Sequence, residues 1–278
     1  MTTAGAAMAT ATARLRAAGV PDPARDARVL LAHAASVDAV RVTLIAPEEI
    51  APEISERFEH LVALRAVRVP VSHLVGARAF YGRSFRISRD VLDPRPETET
   101  LIEAALVVPY TRVLDLGTGS GCILVTLLAE RPDAHGVGVD LSERACLQAS
   151  ANAVLHEVAG RTEIVQSDWF SAVEGRFDLI VSNPPYLAQA EMADVAPELA
   201  LHEPAMALTD GGDGLSAYRI IAHQAQGYLT SQGRVMVEIG WQQGPDVAEI
   251  FQAAGWARVA ILPDLDGRNR VICAENPA

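Results

Sequence analysis

The most unusual chemistry in this chain sits in four consecutive residues, Asn183-Pro184-Pro185-Tyr186, directly after an apolar β-branched run at 179–182. Two prolines in a row stiffen the backbone and remove two N–H donors, so carbonyl oxygens line the turn without competition. The Asn183 side-chain oxygen adds another acceptor. Such a set can accept both hydrogens of a planar –NH₂ group while the Tyr186 ring packs on its flat face. An amide or aromatic amine nitrogen is a poor nucleophile because its lone pair is delocalised. Pinning both hydrogens aims the nitrogen at an electrophilic methyl group and favours a pyramidal, partly cationic transition state. No strong general base is needed before attack, which fits the absence of a matching His or Lys nearby. The plainer reading of the same residues is a rigid turn after a strand.

A second cluster could hold the methyl donor. Val113-Leu114-Asp115-Leu116 runs into Gly117-Thr118-Gly119-Ser120-Gly121 and then into a helical stretch. A glycine turn between strand and helix lets a ligand approach the backbone and meet the amides at the helix N-terminus. Asp140, at the end of the next strand, can accept from a ribose diol. A dinucleotide site competes with this reading. Asp115 before the turn, placed to help hold a cationic amino-acid moiety, and the lack of a pyrophosphate-type Gly-x-Gly-x-x-Gly favour S-adenosylmethionine. At the end of the third strand, Asp168 could accept from an adenine amino group and Trp169 could cover its ring. Trp169 and Phe170 as simple core aromatics is the equal alternative.

These residues need a scaffold, and the pattern predicts one. Residues 1–75 read as a small all-α domain of three or four helices, with breaks at Gly19-Val20-Pro21, near Ser36-Val37-Asp38, and at Pro47 and Pro52. A hairpin and linker follow over 76–96. From 97 to 278 strand and helix alternate. Apolar runs at 112–116, 136–139, 163–165, 179–181 and 235–239 suit buried parallel strands, and 258–262 with 270–274 suit a C-terminal antiparallel hairpin. Helical segments fall near 121–130, 143–157, 215–230 and 245–254. The expected fold class is therefore α/β, a doubly wound, Rossmann-like sheet preceded by helices. The stretch 187–214 shows no clear strand and reads as a functional lid.

Composition narrows the function. Of 278 residues half are hydrophobic and 21% charged, as in a globular protein, and the net charge is −12. That charge argues against coating nucleic acid, so no stable nucleic-acid partner is expected. All 23 basic residues are Arg. Eight of them against three acids between Arg57 and Arg95 make a local +5 (8 − 3), either a partner-facing patch or a solvated face. Three scattered cysteines suggest neither a disulfide framework nor a metal site. Residues 1–13 lack a signal-peptide pattern and no run is long enough to span a bilayer, so a cytoplasmic, metal-free monomer away from membranes is expected.

Taken together, the chain resembles the protein-(glutamine-N5) methyltransferases that modify peptide chain release factors, within the class I S-adenosylmethionine-dependent enzymes. The stretches that carry the resemblance are Pro94-Arg95-Pro96-Glu97-Thr98-Glu99, the Asp115 to Gly121 turn, Asn183 to Tyr186, Glu203-Pro204 with Ala207-Leu208, Gly212-Asp213-Gly214-Leu215, and Glu238-Ile239-Gly240-Trp241-Gln242-Gln243-Gly244. Asn-Pro-Pro-Tyr alone is shared with adenine-N6 methyltransferases of DNA or RNA, the competing function. The resemblance implies methyl transfer to the glutamine amide of a Gly-Gly-Gln tripeptide in translation termination. It implies that Gly117, Thr118, Gly119, Ser120, Gly121, Asp140, Trp169 and Asn183 bind the cofactor. Asn183, Pro184, Pro185 and Tyr186 would hold the glutamine, with Asn183, Pro184 and Tyr186 catalytic. The helical head would contact the release factor. Two positions depart from the family pattern: Asp93 stands where an aliphatic residue is common, and His73 where Tyr is. A binding module without turnover and a nicotinamide dehydrogenase are the more distant alternatives.

Overall fold

A computed structural model describes residues 2–277 as two units, one formed by residues up to 77 with 196–202 and one by 78–195 with the described residues from 203 on. In the first unit the helices are α1 (Ala4–Ala17), α2 (Pro23–Ala35), α3 (Val42–Ile45), α4 (Pro52–Ala66) and α5 (Val71–Val75). Prolines at the first turns of α2 and α4 supply a pre-set φ where no amide donor is missed. Thr3 caps α1 by accepting from the Ala6 amide. On α1 the buried positions Ala4, Ala7, Ala11 and Leu15 recur at helical spacing and meet Leu30 and Leu31 of α2 and Phe58 and Val62 of α4. α9 (Pro197–His202), far along the chain, also belongs to this unit. Arg65 reaches both Asp26 (2.7 Å) and Glu198 (2.8 Å), and Arg68 reaches Glu198 (2.6 Å).

The second unit begins with the hairpin β1 (Ala77–Phe80) and β2 (Arg83–Arg86), whose Phe80 and Phe85 are buried among residues of the sheet core. The chain continues through α6 (Glu99–Leu106), β3 (Arg112–Leu116), α7 (Cys122–Glu130), β4 (His135–Asp140), α8 (Glu143–Leu155), β5 (Thr162–Gln166) and β6 (Phe177–Ser182). After the 183–215 region come α10 (Ser216–Gln224), β7 (Leu229–Glu238), α11 (Gly244–Ala253), β8 (Ala257–Pro263) and β9 (Asn269–Glu275). Seven strands form one sheet in the order β5-β4-β3-β6-β7-β9-β8. Strands β3 to β7 are parallel, and β9 runs antiparallel to β7 and to β8. The α/β class and the terminal hairpin are as the sequence predicts.

Both faces of the central strands are buried, which explains their unbroken apolar runs. Val113, Leu179 and Val181 pack on one face with α6 and α7, while Leu114 and Ile180 pack on the other with Tyr218, Ile221 and Phe251. The strand order reverses between β3 and β6, and there the carboxyl ends of the strands leave a crevice.

Three local expectations need correction. The helix expected to reach 230 ends at Gln224, and β7 begins at Leu229, because polar Thr230, Ser231 and Gln232 hide an early strand start. The stretch 187–214 is not structureless: it contains α9 and short 3₁₀ turns at Gln189–Asp194 and Ala205–Ala207. Of the eight arginines in the 57–95 segment, the fold engages six. Arg57 donates to the Ala34 carbonyl, Arg65 and Arg68 hold acids, and Arg78, Arg83 and Arg95 pair with Asp93, Glu130 and Glu203. No helix among the described residues is long and apolar enough to cross a membrane.

Candidate active site

The glycine turn after β3 is built by positive φ at Gly117 (+69°), Gly119 (+55°) and Gly121 (+78°), a region that L side chains rarely enter. At Gly117 nothing lies within 4 Å of where a Cβ would stand, so the backbone there is open to a ligand. Gly121 does a different job: a Cβ would meet Ala149 of α8 at 3.1 Å, so this glycine lets α7 and α8 approach. Asp140 ends β4 and locks the turn, its Oδ2 accepting from the Gly119 amide and its Oδ1 from the Ser142 amide, each at 2.9 Å. Asp115 braces the turn from behind. It is fully buried, accepts from the Thr118 hydroxyl at 2.7 Å, and does not line the cavity described next. Burial pushes its carboxyl up to about 7.

Above this turn lies a cavity partly open to solvent. Gly117, Thr118, Gly119, Ser120 and Asp140 form its floor. Asp168 and Trp169 form a side wall after β5. Trp169 is held at φ +50°, with its carbonyl accepting from the Ser167 hydroxyl at 2.9 Å. Phe170 turns into the core, so of the two neighbouring aromatics only Trp169 lines the cavity. The opposite wall is a strap that the sequence reading left out of the site: Asp90, Val91, Leu92, Pro94, Arg95 and Thr98. Pro204, Met206 and Ala207 complete the rim. Arg95 pairs with buried Glu203 at 2.6 Å, and burial raises the Glu203 carboxyl. Asp93, the departure from the family pattern, is buried and faces Arg78 at 3.7 Å. The proline bracket around Arg95 was the available signal for this strap, since it forces an extended segment.

The Asn-Pro-Pro-Tyr turn enters the cavity from β6, the strand beside β3. Ser182 pairs with Leu116 and donates its hydroxyl to the Leu116 carbonyl at 2.8 Å, which fixes where the turn begins. Asn183 Nδ2 donates to the Thr98 hydroxyl at 3.2 Å, and among the described residues no donor engages Asn183 Oδ1. Asn183 and Pro185 line the cavity; Pro184 is buried, and Tyr186 lies against the sheet's second core cluster. Burial pushes the Tyr186 hydroxyl up to about 12. Gln243 Nε2 donates to the Tyr186 carbonyl at 2.9 Å, and Gly214 packs so closely that any Cβ there would collide with that oxygen. The predicted residues thus converge, with Gly121, Pro184 and Tyr186 one layer behind the wall. No group of three or more His, Cys, Asp or Glu among the described residues is arranged to hold a metal.

Comparison with known proteins agrees with this geometry. Residues 87–241 match the Methyltransferase small domain family, and residues 6–76 match the PrmC N-terminal domain. The chain is 57% identical to a release factor glutamine methyltransferase of Cereibacter sphaeroides, over 98% of both chains. It is 43% identical to one of Rhodospirillum rubrum, over 95% of this chain and 82% of that one. Among solved structures, a methyltransferase from Pyrococcus furiosus superposes with a TM-score of 0.55 at 16% identity, over 72% of this chain and 92% of that one, a likeness of fold. Full-length identity at this level, with the glycine turn and the Asn-Pro-Pro-Tyr turn facing one cavity, places the chain in the release factor glutamine methyltransferase family.

Proposed function

We propose that this protein transfers a methyl group from S-adenosylmethionine to the side-chain amide N5 of the glutamine in a release factor's Gly-Gly-Gln tripeptide. The observation that carries the reading is Asn183: it lines the wall of a cavity whose floor is the glycine turn, and among the described residues no donor engages its side-chain oxygen. The cavity suits the cofactor. Backbone at Gly117 is open, Asp140 presents a carboxylate beside it, and Trp169 offers an aromatic face on the adjoining wall. Bound there, S-adenosylmethionine supplies an electrophilic methyl group on a sulfonium.

The chain's own residues do the rest. Asn183 Oδ1 and the carbonyls of the proline turn accept the hydrogens of the glutamine amide, fixing its plane and aiming its nitrogen. The same acceptors favour the partly cationic nitrogen that develops during transfer. Gly117 to Ser120, Asp140 and Trp169 hold the cofactor, and Pro184, Pro185 and Tyr186 keep the acceptor turn rigid. Residues 1–75 serve as the release-factor recognition domain, 76–96 as hairpin and linker, and 97–278 as the catalytic domain. The enzyme works as a cytoplasmic monomer without a stable nucleic-acid partner. Adenine-N6 transfer is not favoured, since the net charge of −12 opposes phosphate binding and the relatives are named for release factors. Purified protein incubated with labelled S-adenosylmethionine and a release factor should place the label on the Gly-Gly-Gln glutamine by mass spectrometry. Label only on adenine-containing DNA in a parallel incubation would overturn the reading.

A further inference from the structure

One buried acid beside the site has no part in the scheme above. Glu238 ends β7, and because Ser182 pairs with Val237, it lies next to Asn183 across the carboxyl ends of two parallel strands. It is 1% exposed, and among the described residues one of its oxygens, Oε2, has no hydrogen-bond donor. The Thr98 hydroxyl bonds its carboxyl, and the same hydroxyl accepts from Asn183 Nδ2. Thr98 itself is 2% exposed, so water does not compete for these bonds.

A hydroxyl has one proton to give. An ionised carboxylate can only accept, so Thr98 must donate to Glu238 and can then only accept from Asn183. That polarity obliges Asn183 to turn its NH₂ toward Thr98 and its carbonyl oxygen away. A protonated Glu238 could instead donate to Thr98, which would then donate to Asn183 and draw its carbonyl oxygen inward. Asn183 would then present an NH₂ group to the substrate amide, donor against donor.

We propose that Glu238 is a positioning residue that acts through Thr98 to set the direction of the Asn183 amide, so that an acceptor and not a donor meets the substrate –NH₂. The inference rests on the reading above that Asn183 accepts from the glutamine amide. Burial places the Glu238 carboxyl at about 7, so the direction of the chain is reversible near neutral pH. Its charged and titratable surroundings are Arg270 on β9, Arg95 and Glu97 of the strap, Tyr186, Tyr218 on α10 and Cys122 on α7. The two arginines hold the carboxyl down, and Glu97 and burial hold it up.

The test uses the full-length enzyme with a release factor as substrate, reading kcat, KM and the pH profile for Thr98→Val, Thr98→Ser and Glu238→Gln. Thr98→Val should lower kcat by about 10- to 100-fold, the scale of a mispaired buried polar group, whereas Thr98→Ser, which keeps the hydroxyl, should stay within about threefold of wild type. Wild type should lose kcat/KM on the acid side with an apparent pKa near 7, and Glu238→Gln, whose amide does not titrate, should lose that limb. Asp115 titrates in the same range, so it is the difference between Glu238→Gln and wild type that decides. Cofactor binding by calorimetry identifies any variant that has merely unfolded. Equal kcat in the Val and Ser variants, or an unchanged acid limb in Glu238→Gln, would overturn the positioning role. Failure of the wild type to label the glutamine would instead remove the function on which it rests.

Discussion

At the scale of single residues, the site separates residues that line the cavity from residues that hold them in place. Asn183 belongs to the first kind: it lines the cavity, and among the described residues no donor engages its side-chain oxygen. Replacing it with Ala should leave cofactor binding largely intact while lowering turnover by roughly 10²-fold or more, the scale for losing one transition-state-directed polar group. Single-turnover kinetics beside calorimetry would show this, and unchanged turnover would remove the amide-gripping role. Asp140 works on both sides, since it anchors the Gly119 and Ser142 amides and borders the cavity. Asp140→Ala should weaken cofactor affinity by about 1–3 kcal/mol, because the partly buried Gly119 and Ser142 amides lose their acceptor. Calorimetry that found no change would place the cofactor elsewhere. Asp115 shows how position before a turn can mislead. A carboxylate there looked available to a cationic ligand, yet it is buried behind the turn and spends one oxygen on Thr118.

At the scale of elements, the strands were legible because burial on both faces leaves continuous apolar runs, and their ends could be read to within a few residues. The exception, β7, carries a polar first half on which no periodicity acts. The glycine and proline turns were legible for a different reason: each requires residue types with restricted or unusual backbone freedom. Helix α9 was not legible. Six residues are too short for a periodic signal, and what holds them is a distant pair of arginines. Arg65 is the centre of that arrangement, with a side chain only 6% exposed between Asp26 and Glu198. Arg65→Ala would leave buried Asp26 without its partner and Glu198 with Arg68 alone, and should destabilise the helical unit by about 3–5 kcal/mol. Chemical denaturation would measure this, and a loss below about 1 kcal/mol, the value of an exposed pair, would mean the bridge is solvated.

At the scale of the whole molecule, two fully buried carboxyls, Asp115 and Glu238, are raised to about 7. A raised carboxyl keeps its proton in the folded state where the unfolded chain has lost it. The folded state therefore binds more protons between roughly pH 4 and 7, and stability falls as pH rises through that window. Glu238→Gln removes one such group. Relative to wild type, the variant should gain about 2 kcal/mol on going from pH 5 to pH 8. Denaturant midpoints at the two pH values would test it, and parallel curves would show that Glu238 ionises without cost. The acidic net charge acts differently, through partners and solubility and not through fold.

The sequence by itself determined the class of chemistry, the order of the sheet's strands and of the helices between them apart from α9, and the two turns that meet at the cavity. Each rests on local rules: backbone restriction by Gly and Pro, and the periodicity of burial. Only the tertiary structure decided which of those residues stand at the wall and which stand one layer behind it. It also brought in the strap at 90–98, the rim at 204–207, and the Thr98 and Glu238 pair beneath Asn183. Thr98 and Asn183 are 85 positions apart. No periodicity links residues so distant; the parallel register of β3, β6 and β7 brings the asparagine and the acid together, and packing of the proline-bracketed strap brings the hydroxyl between them.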